Sequence, residues 1–226
     1  MRQVFDPENL FWSLLARGVD FVGLSIVWAL LCIPVITAGP ASAALYYTVV
    51  KCLRCGEKGT FGVFFRSFRD NFRSCAAAEL ICLPVGAALL AGYGIMRANW
   101  SSDLGAVLFV AYDVALVIPV GVVCWLFPLL GRFDFTPFGA LRTAAMLTLR
   151  HIPSTAVVVM LTVELTVFSL EHIWALLLTP ALCALLSSLF LERIFPKYLS
   201  EAEAEKLRET SETPTAEAGA PEDTEP

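Results

Sequence analysis

Two carboxylates lie deep inside long apolar stretches of this 226-residue chain: Asp113 within 104–130 and Glu164 within 153–170. At about 1.5 Å of helix per residue, both fall near the middle of a bilayer, where no Lys or Arg lies at the same depth. An ionised acid is very costly there without a partner, so each is expected to be protonated, hydrogen-bonded or bound to a cation. One reading is a proton or cation site between facing helices. The other is a neutral carboxyl bonded to Tyr112, Thr162, Thr166 or a backbone carbonyl, and the sequence leaves both open. Glu79 lies nearer the start of its own apolar stretch, where water or Arg73 is expected within reach.

Cys52 and Cys55 in "KCLRCG" have a spacing that can bind metal or cycle redox state. A structural zinc site needs four ligands, and there is no second such pair. The chain has only two histidines, His151 and His172, which the topology below puts on opposite membrane faces. The seven cysteines are mostly embedded in apolar segments, and an odd count argues against a disulfide framework. No phosphate-binding loop, dinucleotide fingerprint, nucleophile elbow or zincin helix is present. The expectation is no catalytic residue, no metal, no cofactor and no nucleic-acid partner.

The elements that must position these groups are membrane helices. Hydrophobic residues make up 57% of the chain and charged residues only 16%, with a mean hydropathy of +0.70. The expected fold is all-α, a polytopic transmembrane helical bundle. Six apolar segments are expected, at about 19–37, 41–55, 75–97, 104–130, 153–170 and 172–192. The second is short, so five crossings are the alternative. If the second segment does not cross, the sixteen basic residues divide thirteen against three. If it does, they divide fifteen against one, with Arg97 alone outside. The positive-inside rule therefore favours six segments with both termini cytoplasmic.

"PVITAGPASAALYY", residues 34–47, separates the first two segments. Pro34 ends or bends one helix, Gly39 permits a tight turn, and Pro40 suits the first turn of the next helix. Ala41 to Ala44 allow close helix packing, whereas the hydroxyls of Tyr46 and Tyr47 need partners inside a bundle. Two basic amphipathic helices are expected at the cytoplasmic interface. In 61–74 a Phe-rich face is flanked by Arg66, Arg69 and Arg73; in 138–153, Leu141, Ala145 and Leu149 oppose Arg142 and Arg150. These arginines are expected to face lipid headgroups or a partner.

The residues Pro34-Val35-Ile36-Thr37-Ala38-Gly39, Ala44-Leu45-Tyr46-Tyr47 and Phe64-Phe65-Arg66-Ser67-Phe68 up to Asn71-Phe72 resemble the YesL-like family of small bacterial membrane proteins. The resemblance covers residues 5 to 195 and rests mostly on the first seventy. It implies a multi-pass protein of the bacterial plasma membrane with no established activity. It also implies an auxiliary, non-enzymatic role in carbohydrate uptake or membrane-associated sugar metabolism, with a carbohydrate importer or another membrane protein as partner beside the bilayer. The alternative is a small proton- or cation-coupled transporter, or a subunit of one, working through Asp113 and Glu164.

The expected organisation is an N-terminal interfacial segment at 1–18, a membrane domain at 19–195 and an acidic tail at 196–226. From Ser200 onward the chain holds nine acidic and two basic residues and no aromatic one, so the tail is expected to be disordered.

Overall fold

The computed structural model describes residues 7–54, 58–133 and 135–212; side chains are not described for 7–17, 53, 173 and 196–212. Every regular element among the described residues is helical. Seven helices follow one another: α1 (Pro7–Leu31), α2 (Ala38–Thr48), α3 (Thr60–Ala98), α4 (Asp103–Arg132), α5 (Pro137–Arg150), α6 (Ile152–Glu171) and α7 (Thr179–Glu212). By length and apolarity α3, α4 and α6 can each cross a membrane, and the shorter apolar run Gly18–Leu31 lies in α1. The chain therefore has the character of a membrane protein.

Local chemistry sets the helix ends. The hydroxyl of Ser102 accepts the Gly105 amide at 3.0 Å to start α4, and that of Thr136 accepts the Gly139 amide at 3.3 Å to start α5. Pro137 stands in the first turn of α5, where its missing N–H costs nothing. Gly59 precedes α3 at φ +89°, a left-handed conformation that glycine adopts without a Cβ clash.

The helix break falls at residues 32–37, and Gly39, expected to make the turn, lies inside α2. α1 stops at Leu31, Val35–Thr37 make one 3₁₀ turn, and α2 begins at Ala38 with Gly39 and Pro40 in its first turn. Thr37 Oγ1 turns back onto the carbonyls of Pro34 (2.7 Å) and Leu31. α2 is short and enclosed by its neighbours. Gly39, Pro40, Ala41, Ala43, Ala44, Leu45, Tyr46 and Thr48 are all buried, and α3 and α4 pack along it. A short segment at membrane depth is tolerated when protein surrounds it. A wider π-helical turn, Val49–Arg54, continues α2.

Leu24, Ala44, Leu45, Val49, Phe64 and Ala181 form a core cluster that draws on α1, α2, α3 and α7. Phe64 is fully buried there, so the Phe-rich stretch enters the bundle. No separate helix covers 61–74. It is the first part of α3, which runs 39 residues without interruption although it contains Pro84. The second basic helix is separate, but its buried side is Ala140, Ala144, Leu147 and Thr148. Leu149, Arg142 and Arg150 are all exposed, so the leucine and the two arginines that sequence periodicity set apart share the open side. The smallest side chains face inward because they allow the closest approach to α4.

The compact unit closes at Ser188, and Leu189–Pro226 form a second unit. Two expected boundaries differ from this. α1 begins at Pro7 and passes through position 18 without a break; residues 1–6 lie outside the described residues. α7 continues through the acidic stretch to Glu212, where structure was not expected beyond 195. The run "EAEAEKLRE" consists of strong helix formers, and Pro214 follows two residues after the helix end. The rest of the acidic tail, 213–226, lies outside the described residues.

Candidate functional site

A buried polar contact between two helices lies at the start of α2. A helix begins with unpaired amides, and Thr37 offers this one no side-chain cap. The acceptor comes from α3: the Gly39 amide donates to Glu79 Oε2 at 2.7 Å. Glu79 is 8% exposed. This corrects the expectation of a solvated acid or an Arg73 partner. The carboxyl faces the amide end of α2, where the helix dipole favours negative charge. The space is closed tightly. A Cβ at Gly39 would lie 2.5 Å from Phe127 Cε1 and 2.7 Å from Glu79 Oε2.

Beside this junction lies a cavity of about 650 Å³ between α1, α2, α4, α6 and α7. Trp28, Phe127, Leu165 and Leu176 supply its apolar walls. Three of its hydroxyls bond back into their own helix. Thr162 donates to Val158 O (2.8 Å), Thr166 to Thr162 O (2.6 Å) and Ser169 to Leu165 O (2.7 Å). Back-bonding of this kind leaves mainly methyl and methylene surface exposed. Trp28 Nε1 donates to Ser42 Oγ at 3.1 Å and ties α1 to α2 across the same wall. Cys124 and Cys183 flank Thr162 Oγ1 at 3.8 and 3.5 Å, and both are free thiols. The cavity can hold an apolar guest, such as an acyl chain. It offers no acid–base pair.

Asp113 and Glu164 do not line this cavity. Both are exposed on the outer faces of α4 and α6. Tyr112 donates to Leu89 O at 2.7 Å, and Thr162 and Thr166 donate within their own helix, so the partners foreseen for the two acids are engaged elsewhere. Pro34 is exposed, whereas Gly39, Pro40 and Tyr46 are buried, and Tyr47 is half-buried with Lys51 Nζ 5.2 Å above its ring centroid. Arg66, Arg69, Arg73, Arg142 and Arg150 are all exposed. Cys52 is buried; Cys55 lies outside the described residues, so the Cys-x-x-Cys pair is not described as a unit. Among the described residues no three His, Cys, Asp or Glu side chains stand together as metal ligands.

Residue-by-residue reading missed the role of Glu79. The available signal was a pair of facts: a helix start with no usable capping side chain of its own, and one acid in the next apolar segment.

With this geometry in view, a comparison with known families can be placed on the fold. The family described as a protein of unknown function, DUF624, matches residues 21–93, which run from α1 through most of α3. No curated protein and no solved structure matches the chain.

Proposed function

We propose that this chain is a YesL-like auxiliary protein of the bacterial plasma membrane that assists carbohydrate uptake or membrane-associated sugar metabolism without catalysing a reaction. What supports this reading is where the family-like residues lie. Pro34–Gly39 build the turn before α2 and its first residues, and Ala44–Tyr47 lie in its second half, all inside the stretch that matches the DUF624 family. Gly39, Ala44, Leu45 and Tyr46 are buried against neighbouring helices, as in a scaffold that presents its remaining surface to other membrane components. The six-segment arrangement with both termini cytoplasmic belongs to the same proposal. The fifteen-to-one division of basic residues supports it, as does the burial of short α2 by its neighbours.

The test is co-purification of the full-length chain from native membranes, combined with growth of a deletion strain on limiting sugars. The proposal expects a carbohydrate importer subunit to be recovered in a fixed ratio and a growth defect on the matching sugar. Recovery of the chain alone, with unimpaired growth on every sugar tried, would defeat it.

A further inference from the structure

A second cavity, of about 260 Å³, opens where α2, α3 and α4 end or begin together. Its walls carry Lys51 from the π-helical turn, Arg66, Ser67, Asp70 and Asn71 from α3, and Arg132 from the last turn of α4. Three cationic groups and one carboxylate give these walls a formal charge of +2. We propose that this cavity binds a phosphate group, supplied by the headgroup of an anionic membrane lipid.

Five features support the assignment. The cations come from three different helices, so they converge on a common space and do not form a stripe along one solvated face. The π-helical turn sets the direction of Lys51, and such turns recur at functional sites. Tyr47 lies beneath the ammonium of Lys51, 5.2 Å from its ring centroid, a contact that helps to position the charge. The Asn71 amide donates to Ser67 O at 3.2 Å, which orients it along the wall. Arg66 brings a planar fork of N–H donors suited to two phosphate oxygens.

Position decides the source of the phosphate. Lys51 lies in the last third of the apolar segment 41–55, Arg132 just follows 104–130, and Arg66 precedes 75–97. The cavity therefore lies at the boundary between apolar and basic sequence, the level of lipid phosphates, and basic pockets between membrane helices hold anionic headgroups there. Asp70 in the wall disfavours a bare, fully charged phosphate and suits a diester with one negative charge and neighbouring hydroxyls. This inference stands apart from the sugar-uptake reading, and either can fail alone.

The experiment follows the melting of the purified full-length chain in a neutral detergent. Three probes are titrated: short-chain phosphatidylglycerol, short-chain phosphatidylcholine and inorganic phosphate. Wild type should be stabilised by phosphatidylglycerol well below the concentration at which phosphatidylcholine acts. Arg66→Gln should weaken that response roughly tenfold, the effect of losing one charge-assisted contact. Arg69→Gln, an exposed arginine of the same helix outside the cavity, should leave it unchanged. Equal losses in both variants would mean diffuse surface charge and overturn the site. Equal stabilisation by phosphatidylcholine would overturn it too. Saturation by inorganic phosphate at the same concentration, abolished by Arg66→Gln, would overturn the lipid source. Arg66 is exposed, so its substitution does not disturb the core; Lys51→Gln provides a second variant on another wall.

Discussion

The amide of Gly39 and the carboxylate of Glu79, forty residues apart in sequence, meet at 2.7 Å where the first turn of α2 abuts α3. Glu79 is the middle residue of the 39-residue α3, so α2 flanks only the first half of that helix. The second half pairs with α4, as Tyr112 donating to Leu89 O and lying against Gly92 demonstrates. Leu80, Val85, Leu90, Ile95, Leu104, Val107 and Val114 are exposed along that pair, a surface that only lipid or another apolar partner can cover.

The junction predicts an ordered set of losses. Glu79→Gln keeps an acceptor oxygen for the Gly39 amide and should melt close to wild type. Glu79→Leu removes the acceptor and should lower stability by roughly 1–3 kcal/mol, the cost of a buried unsatisfied amide. Gly39→Ala should lose a similar amount because its Cβ must displace the Phe127 ring and the carboxylate. Melting in detergent checks all three. Wild-type behaviour of Glu79→Leu would show that the contact does not hold α2 in place.

The same junction shows what the sequence did and did not disclose. The break at Pro34 was legible because proline acts locally, within a residue or two, whereas Gly39 serves the close approach of Phe127 and Glu79 inside α2. The burial of α2 was legible in part, from Ala41, Ala43 and Ala44. The partner of its first turn was not, because a cap supplied by Glu79 depends on how two helices pack. The open side of α5 was misplaced for a related reason. Periodicity divides a helix into faces, but the tight fit to α4 selected Ala140 and Ala144 for the inside and left Leu149 out.

Close backbone approach gives an independent prediction. A Cβ on Gly131 would lie 2.6 Å from the backbone oxygen of Ala43, whereas one on Gly94 would meet nothing within 4 Å. Gly131→Ala must push α4 away from α2 and should cost about 1–3 kcal/mol. Gly94→Ala sits inside a helix in open space and should be neutral or raise stability by up to about 1 kcal/mol. The difference between the two melting shifts isolates packing from helix propensity. Equal shifts would contradict the α2–α4 contact.

Topology is checked with introduced thiols at Gln3, Ser101 and Thr210, each measured against the native chain. With six segments and cytoplasmic termini, a membrane-impermeant maleimide should label position 101 in intact cells, and positions 3 and 210 only after the membrane is opened. Labelling of position 3 from outside would restore the five-crossing arrangement.

Asp113 and Glu164 give the last prediction. Both carboxyls are exposed, and among the described residues neither has a hydrogen-bond or ion-pair partner. Folding of the single chain therefore should not depend on them. Asp113→Asn and Glu164→Gln should each leave melting unchanged or raise it, because a neutral amide avoids the cost of an unpartnered acid at mid-bilayer depth. Asp113→Ala should be equally mild, since it leaves no buried group unsatisfied. A proton- or cation-coupled transporter makes a different demand on the same residues. The amides keep the shape of a protonated acid and cannot release a proton, so uptake in proteoliposomes would fall or lose its pH dependence while melting stayed constant. Uptake of a candidate sugar at wild-type rates across the pH range in both amide variants removes that reading and leaves the auxiliary one. Loss of uptake with unchanged melting would reverse the choice, and would place the working surface of the protein on the outward faces of α4 and α6.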